Sequence, residues 1–318
     1  MVKTRILVTG GAGFIGSHIV DKLLSKDFEV TIFDNLSSGR RENISHHLDN
    51  ELFHFIKGDI LDLDTMKKIV KNHDVVIHEA AITDISFSIK NPIITNEINV
   101  KGTLCLLKAC LDSDVKRFIF ASSASVYGKP NILPMREDMS LNPESPYAVS
   151  KLAAENYIKF FHDIYGLETI ILRYMNVYGP RARKNQGVIS IFINRLLKNK
   201  SPVIYGDGEE TRDFINVQEV ADANILAVSS KKAVGEIINI GSGIPTSIHQ
   251  IANFVQEATN KKHIKLIYSD PRLGDMRHAY ADIKKARELL DFNPKIPLKE
   301  GITQLVKWFE DESRRARK

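Results

Sequence analysis

The chain has 318 residues, 43% of them apolar and 26% charged, which is typical of a globular protein with one large or two modest domains. No apolar stretch approaches the ~18 residues that span a bilayer, and the first predicted strand leaves no room for a signal peptide, so we expect a cytoplasmic protein without a membrane partner. The net charge is +5, but the basic residues are distributed along the chain and mixed with acidic ones. This distribution favours anionic substrates over nucleic acid.

Apolar strands and amphipathic helices alternate through the first half of the chain, a pattern that predicts a parallel sheet covered on both faces. The predicted strands lie near residues 4–9, 29–33, 53–57, 74–78, 117–122 and 168–173, and two long helices near 92–113 and 146–165. Ser145 is the predicted N-cap of the second long helix, with Pro146 as its first residue and Gly166 at its end. The predicted fold class is α/β, a Rossmann-type doubly wound parallel sheet.

A glycine-rich turn, Thr9–Gly16, separates the first predicted strand from the first helix, and Asp34 ends the second strand. Gly10 permits the sharp exit from the strand, Gly13 lets backbone approach a pyrophosphate, and Gly16 lets the helix pack tightly on the strand. The helix N-terminus offers free N–H groups and a partial positive charge to phosphates. Asp34 can accept hydrogen bonds from the adenosine ribose and would repel a 2′-phosphate, so the predicted cofactor is NAD rather than NADP.

Tyr147 and Lys151 lie four residues apart on a predicted helix, hence on one face, with Cβ atoms ~6 Å apart. A phenol with a pKa near ~10 is a poor base at neutral pH, but a neighbouring ammonium and an oxidised nicotinamide would lower that pKa. Ser123 follows a predicted strand, so its hydroxyl should emerge at the carboxyl edge of the sheet, where ligands bind in such folds. Taken singly, these residues are typical of surface helices and turns; together with the glycine-rich turn they become candidate catalytic residues.

The alternation loosens after about residue 176, where short strands and loops separate helices predicted near 188–199, 217–229, 246–259 and 298–312. We predict a cofactor-binding domain over 1–175 and a smaller α/β substrate-binding lobe over 176–318, with segments such as 213–230 returning to the first domain. The last helix should pack inward because Ile302, Leu305 and Phe309 share one face. Cys105 and Cys110 are too far apart on a helix to form a disulfide, and the ten histidines predict no metal site.

Motifs along nearly the whole chain resemble the extended short-chain dehydrogenase/reductase superfamily and, within it, the nucleotide-sugar 4-epimerases. The resemblance is carried by Thr9–Gly16, Asp34-Asn35, Gly58–Ile60, His78–Ala81, Asn99–Thr103, Ser122-Ser123, Tyr147 with Lys151, Arg173–Pro180, Arg212–Ile215, Arg272–Asp275 and Tyr280–Asp282.

The resemblance implies that NAD stays tightly bound and assigns contacts to the matching positions. The implied NAD-binding residues are Gly10, Gly13, Phe14, Ile15, Gly16, Asp34, Asn35, Ser37, Ser38, Gly39, Asp59, Ile60, Ala80, Ala81, Asn99, Tyr147, Lys151 and Tyr174. The implied substrate-binding residues are Thr83, Ser123, Tyr147, Asn176, Val188, Val203, Tyr205, Arg212, Arg272, Asp275 and Ala279. In this reading Asn176 and the two arginines hold the substrate diphosphate, and Tyr205 borders the uracil.

The implied reaction is the 4-epimerisation of a UDP-sugar. Tyr147 would take the proton of the sugar 4-hydroxyl while hydride passes from C4 to NAD, and the 4-keto sugar would turn before hydride returns to its opposite face. Ser123 would hydrogen-bond the reacting oxygen. The related 4,6-dehydratases read Thr-Asp-Glu where this chain has Ser123-Ala124-Ser125, and the uronic-acid decarboxylases carry Glu at the position of Ser125, so both reactions are disfavoured.

Ala279 occupies the position that gates the sugar pocket in this family, where large aromatic residues exclude N-acetylated sugars. The implied substrates are UDP-N-acetylglucosamine and UDP-N-acetylgalactosamine, and UDP-glucose and UDP-galactose are implied as additional substrates. The alternatives are another UDP-sugar such as UDP-glucuronate, a reductase with dissociable NADPH, and a non-catalytic protein that binds NAD or nucleotide-sugars.

Three residues depart from the family pattern near the site. The family usually has an uncharged residue at position 79, glutamine at 82 and serine at 84, whereas this chain has Glu79, Ile82 and Asp84. We expect these differences to change the substrate preference. The resemblance also implies a homodimer that pairs the helices near 92–113 and 146–165.

Overall fold

The computed structural model describes residues 3–271 and 276–315. Numbered in chain order, the strands of the main sheet are β1 Arg5–Thr9, β2 Glu29–Asp34, β3 Phe53–Lys57, β4 Val75–His78, β5 Arg117–Ser123, β6 Glu168–Tyr174 and β10 Ile237–Ile240. They are all parallel and lie in the order β10-β6-β5-β4-β1-β2-β3. The Rossmann-type α/β prediction is confirmed, and the six strands predicted from the first half of the chain are all present.

Helices cover both faces of this sheet. In chain order, the α-helices of the described residues are α1 Phe14–Leu24, α2 Leu63–Val70, α3 Ile85–Lys90, α4 Pro92–Asn96, α5 Gly102–Leu111, α6 Pro146–Tyr165, α7 Val188–Leu197, α8 Val217–Ser229, α9 Ile248–Ala258, α10 Lys284–Leu290 and α11 Leu298–Arg315. Apolar residues of α1 and α8 pack in one core with the sheet, and those of α2, α5 and α6 pack in a second core on the other face. Strands buried on both faces explain why their sequences are continuously apolar.

The start of α6 is determined by its own sequence. The Ser145 hydroxyl accepts a hydrogen bond from the N–H of Ala148, and Pro146 is the first helical residue. Gly166 ends the helix in a left-handed conformation with φ of 71°, and its N–H bonds the carbonyl of His162. These predictions are confirmed, and they place Tyr147 in the first turn of the helix.

The helix predicted near 92–113 is continuous but not uniform. A π-helical turn at Glu97–Lys101 joins α4 to α5, and the helix ends at Leu111. Such turns add one residue to the helical winding and often occur at functional sites. Here the turn carries Asn99, one of the predicted NAD-binding residues.

Two small sheets belong to the second half of the chain. Their strands are β7 Asn176–Tyr178, β8 Val203–Tyr205, β9 Thr211–Asn216, β11 Pro245–Ser247, β12 Ile267–Ser269 and β13 His278–Ala279. β9 pairs with β7, β11 and β13, whereas β8 pairs with β12. A third core forms between α7, α9 and α11, where Ile302, Leu305 and Phe309 are at most 1% exposed, so the inward face predicted for the last helix is confirmed.

The chain returns to the main sheet twice after residue 176, through α8 and through β10, which pairs with β6. Cys105 and Cys110 are free thiols. Within residues 3–271 and 276–315, none of the helices has the length and apolar character that crossing a bilayer would require.

Candidate active site

The glycine-rich turn brings backbone groups together at the start of α1. Gly10 has φ of 70°, and a Cβ at this position would lie 2.7 Å from the backbone nitrogen of Ala80. A Cβ at Gly16 would lie 2.4 Å from the carbonyl oxygen of Gly10, so the helix could not pack as closely on the turn. Gly13 is the N-cap and supplies no side-chain cap, so the N–H groups of Phe14 and Ile15 remain for a phosphate. This donor set fits the pyrophosphate of a dinucleotide.

The Asp34 carboxylate anchors the next loop. It is 7% exposed, and it accepts hydrogen bonds from the N–H of Leu36 at 2.7 Å and of Ala12 at 3.0 Å. Burial raises the pKa of this carboxyl, whereas the two backbone donors lower it. A Cβ at Gly39 would lie 2.9 Å from an Asp34 oxygen, which explains the glycine there.

The predicted adenosine contacts meet at the carboxyl ends of β2 and β3. The amide of Asn35 donates to the Asp59 carboxylate at 3.1 Å, and Ser37 and Ser38 are exposed beside it. Ile60, 6% exposed, forms the buried floor next to Asp59. The structure therefore assembles these residues with Asp34 into one corner.

Asn99 connects the loop after β4 to α6. Its carboxamide accepts from the N–H of Ile82 at 2.8 Å and donates to the carbonyl of Ile82 and to the Ser150 hydroxyl, each at 2.9 Å. The same loop carries Ala80 and Ala81, which are half-buried. Asn99 thus holds the loop along which the cofactor diphosphate is predicted to run.

Ser123, Tyr147 and Lys151 come together at the carboxyl edge of β5. The Ser123 hydroxyl is close enough to the Tyr147 phenol to lower its pKa. Lys151 is 3% exposed, and its Nζ donates to the carbonyl of Ala121 at 2.7 Å and lies 4.6 Å from the centre of the Phe120 ring. The predicted catalytic residues therefore form one cluster between α6 and the end of a central strand.

The protein raises the pKa of Tyr147 and lowers that of Lys151. Burial is the largest influence on Tyr147 and raises its pKa, whereas the nearby Ser123 hydroxyl lowers it. Burial lowers the pKa of Lys151 to about 8, although the nearby carboxylates of Glu79 and Glu155 raise it. The net shift of the Tyr147 pKa is upward and Lys151 is not among its causes, so the lowering expected from Lys151 is not seen in the protein alone.

Sequence reasoning missed a buried ion pair behind Ser123. Arg173 and Glu155 are 1% and 2% exposed and paired at 2.7 Å, and the Ser122 hydroxyl donates to the same carboxylate. Glu155 lies four residues after Lys151 on α6, a spacing that could have indicated a shared helix face. The pair ties β5 and β6 to α6 directly beside Ser123.

The three departures from the family pattern have different surroundings. The Glu79 carboxylate accepts a hydrogen bond from the predicted cofactor residue Tyr174 at 2.7 Å. The backbone of Ile82 is held by Asn99, as described above. Asp84 accepts from the N–H of Phe87 at 2.8 Å and caps α3, so its side chain has a local structural role. Their expected effect on substrate preference stays a prediction.

β9 gathers three of the predicted substrate residues on one small sheet. Ala279 of β13 lies directly opposite Arg212, and Asn176 of β7 lies opposite Phe214. The Asn176 amide donates to the carbonyl of Asp213 at 3.0 Å. Ala279, itself 6% exposed, is thus a close neighbour of the predicted diphosphate-binding arginine.

Asp213 is a second residue that sequence reasoning missed. It is fully buried, and its carboxylate accepts from the N–H groups of Ser242, Gly243 and Ala281 at 2.7, 2.9 and 3.2 Å. These bonds hold the segment after β13 against β9, which positions Ala279.

Other predicted substrate residues lie on separate elements. Val203 and Tyr205 are on β8, Val188 begins α7, and Thr83 is exposed after β4. Arg272 and Asp275 lie outside the described residues.

The residues described include one cluster of metal-ligand type, formed by Asp21, His46 and His47. The histidine Nε2 atoms lie 3.0 and 2.7 Å from one Asp21 oxygen, while a guanidinium nitrogen of Arg181 lies 2.8 Å from the other. A guanidinium already neutralises the carboxylate, so these contacts are read as links between α1 and two loops. That the protein has no metal site stays a prediction.

Comparisons with known proteins agree with this geometry. Residues 6–241 match the family described as the NAD dependent epimerase/dehydratase family. A putative UDP-glucose 4-epimerase of Methanocaldococcus jannaschii is 46% identical over 313 residues, covering 97% of this chain and 99% of that protein.

Two solved structures share the whole fold. One is the UDP-N-acetylglucosamine 4-epimerase of Methanobrevibacter ruminantium in complex with UDP-N-acetylmuramic acid, with a TM-score of 0.92, 41% identity and coverage of 98% of this chain and 100% of that one. The other is the UDP-glucose 4-epimerase of Thermotoga maritima with UDP-glucose, with a TM-score of 0.91, 38% identity and the same coverage. Fold, motifs and similarity over the full length therefore agree: the chain belongs to the NAD-dependent epimerase/dehydratase family of the extended short-chain dehydrogenases/reductases, and its cofactor is NAD.

Proposed function

We propose that the protein is a UDP-sugar 4-epimerase that interconverts UDP-N-acetylglucosamine and UDP-N-acetylgalactosamine, and also UDP-glucose and UDP-galactose. The observation that carries the proposal is the cluster of Ser123, Tyr147 and Lys151 between α6 and the carboxyl end of β5. The three similar proteins support it, since each is described as an epimerase of a UDP-sugar. Residues 123–125 contain no carboxylate, which argues against dehydration and decarboxylation.

The residues of this cluster divide the chemistry among them. Bound NAD would accept hydride from C4 of the sugar and later return it to the opposite face. Tyr147 takes the proton of the 4-hydroxyl and gives it back, and Ser123 hydrogen-bonds the reacting oxygen. Lys151, held by the carbonyl of Ala121, supplies a positive charge that favours the phenolate.

The choice of sugar is argued from the small sheet around β9. Ala279 lies opposite Arg212, and its short side chain would leave more space for an acetamido group than a large aromatic residue at this position. Ser125 supports a polar sugar contact, because its buried hydroxyl oxygen has no hydrogen-bond partner among the described residues. We infer that N-acetylated sugars are accepted for these two reasons.

We also propose a homodimer formed through α4 and α6. These helices expose Ile93, Ile94, Phe160 and Ile164 to 75%, 44%, 48% and 63%, a large apolar surface for a globular chain. α4 and α6 contact each other, which is consistent with both helices contributing to one interface. Burying this surface against a second copy would form the expected four-helix bundle.

Light scattering tests the dimer. Ile164→Glu should convert a mass of two chains into that of one, because a carboxylate cannot be buried unpaired in an apolar interface. Ile267→Glu is the matched control, since Ile267 is 49% exposed but lies on β12, away from these helices. A wild-type mass of one chain would contradict the dimer.

Proton NMR tests the reaction. Purified protein without added cofactor is incubated with UDP-N-acetylglucosamine and UDP-glucose in separate tubes, and the anomeric signals of the galacto epimers are followed. Both epimers should appear, with the acetylated pair reacting at a comparable or higher rate. No epimer in either tube, with NAD added as well, would overturn the proposal.

A further inference from the structure

Glu79 is a half-buried acid among the residues that hold the reacting end of the site. It follows β4 directly, and the strand register places it beside Ala121 of β5, whose carbonyl binds Lys151. Its carboxylate accepts from the hydroxyl of Tyr174 on β6 at 2.7 Å. Asn224 of α8 donates to the same hydroxyl at 2.8 Å. Glu79 therefore spans the ends of three neighbouring strands at the catalytic edge.

The charged and titratable groups that face Glu79 come from α6 and β6. Lys151 is the cation, and its charge and that of Glu79 stabilise each other. Tyr147 and Tyr174 are the acids, and the Glu79 charge raises the pKa of both. Asn224 of α8 is neutral. The neighbouring His78 bonds Thr9 and Thr103 with its two ring nitrogens, and burial lowers its pKa to about 3.

We propose that the Glu79 carboxylate tunes the bound cofactor by favouring its oxidised, cationic nicotinamide over its reduced, neutral one. Reduction adds two electrons and one proton, as hydride, to the ring and removes its positive charge. The electrostatic attraction between the Glu79 carboxylate and the ring is then lost. This attraction is stronger in a site shielded from water than in bulk solvent, so its loss costs more free energy there. Glu79 would therefore make the reduced enzyme carrying a keto sugar less favourable relative to the resting state.

This role follows from the family's NAD cofactor and not from the identity of the sugar. The usual residue at this position of the family pattern is uncharged, so the chain carries an additional negative charge at the reacting end. Burial raises the pKa of Glu79 to about 7, although Tyr174 and Lys151 lower it. The charge is consequently present above neutral pH and lost below it.

A redox titration of the sugar-free holoenzyme tests the proposal. The bound nicotinamide is equilibrated with mediators of known potential at pH 8.5 and its reduction followed by absorbance, for the wild type and Glu79→Gln. Glutamine keeps an oxygen that accepts from Tyr174 but removes the charge. The ratio of oxidised to reduced cofactor at a fixed potential should fall about tenfold in the variant, a positive shift of ~30 mV for a two-electron couple. Equal potentials for the two proteins would overturn the proposal.

A matched variant separates a local effect of the charge from a general one. Glu288→Gln makes the same charge change at an exposed site on α10 and should leave the potential unaltered. A shift in Glu288→Gln as large as that in Glu79→Gln would count against a local effect.

The pH dependence provides a test that needs no stable variant at Glu79. The wild-type potential should fall with pH between 6 and 8.5 more steeply than the hydride couple alone requires, because reduction raises the pKa of Glu79 and takes up an additional proton. A slope equal to that of the free cofactor would overturn the proposal. Because no sugar is present, a protein that fails to epimerise either sugar pair but shows these potentials would contradict the proposed function and leave this inference standing.

Discussion

The cofactor half and the substrate half of the site are held in different ways. Asp34, Asn99 and Lys151 are 7%, 2% and 3% exposed, and each is bonded to backbone near the edge of the main sheet. In the substrate half Tyr205 is 41% exposed, and Asn176 lies at the surface of a three-residue strand. Buried polar groups need their hydrogen bonds, so the cofactor half is preorganised, whereas exposed side chains can reorient.

The buried, hydrogen-bonded cofactor half fits the proposed reaction, in which the cofactor stays in place through each turnover. The difference between the two halves also predicts where a substitution should act. Changes in the cofactor half should reduce catalysis or cofactor affinity for every substrate. Changes on the small sheet around β9 should alter the choice between substrates.

The largest effect is expected where the two halves meet. Tyr147→Phe removes the proposed base and should lower kcat about 10²–10⁴-fold while NAD remains bound. Epimer formation is measured by NMR and the cofactor content by absorbance. Tyr157→Phe, an exposed tyrosine on the same helix, is the control and should keep full activity.

The pH dependence of the wild-type epimerisation rate also tests Tyr147 as the proposed base. The rate should rise as pH increases above neutrality, because burial raises the pKa of Tyr147 and its deprotonated form acts as the base. A rate that falls over this range would argue against the phenolate.

Asp34→Asn tests the cofactor half alone. The variant should bind NAD about 10–100-fold more weakly, because hydrogen bonds to a charged group are worth ~1.5–3 kcal/mol. Discrimination against NADP should shrink as the repulsion of the 2′-phosphate disappears. Calorimetry with both nucleotides measures this, and Asp49→Asn at an exposed position is the control. Unchanged preference for NAD would assign specificity to other residues.

Gly16→Ala tests close packing in the same half. Its Cβ would lie 2.4 Å from the Gly10 oxygen, so the helix must shift, and the free energy of unfolding should fall by ~1–3 kcal/mol. In Gly13→Ala the nearest atom would be 3.0 Å away, so stability should fall less while NAD affinity falls more. Denaturant unfolding measures the stability of both variants, and titration with NAD measures their cofactor affinity. Equal losses of stability would contradict the separate roles of Gly16 in helix packing and Gly13 in cofactor binding.

The smallest effect is expected in the substrate half. Ala279→Tyr should lower kcat/KM for the N-acetylated pair about tenfold more than for UDP-glucose and UDP-galactose, since the ring would fill the space of the acetamido group. Ala279→Ser keeps a small side chain and should change neither pair. Equal losses on both pairs for the tyrosine variant would remove the argument for N-acetylated sugars.

Local patterns account for the parts of the molecule that were predictable. Six of the seven strands of the main sheet and the limits of α6 were predicted, because apolar runs, an N-cap serine and a terminal glycine act within a few residues of where they stand, whereas β10 was not predicted. The π-helical turn around Asn99 and the short helices α3 and α10 were not located, because their sequences lack strong periodicity or stop signals.

The fold class, the glycine-rich turn and helix α6 could thus be predicted, since each depends on residues that are neighbours in the chain. The contacts between distant residues could not be predicted in this way. The order of the strands brings Glu79 to Tyr174, packing of α6 on the sheet pairs Glu155 with Arg173, and strand register sets Ala279 opposite Arg212. Those contacts join segments up to about a hundred residues apart and arise from packing of the whole sheet, which no local pattern specifies.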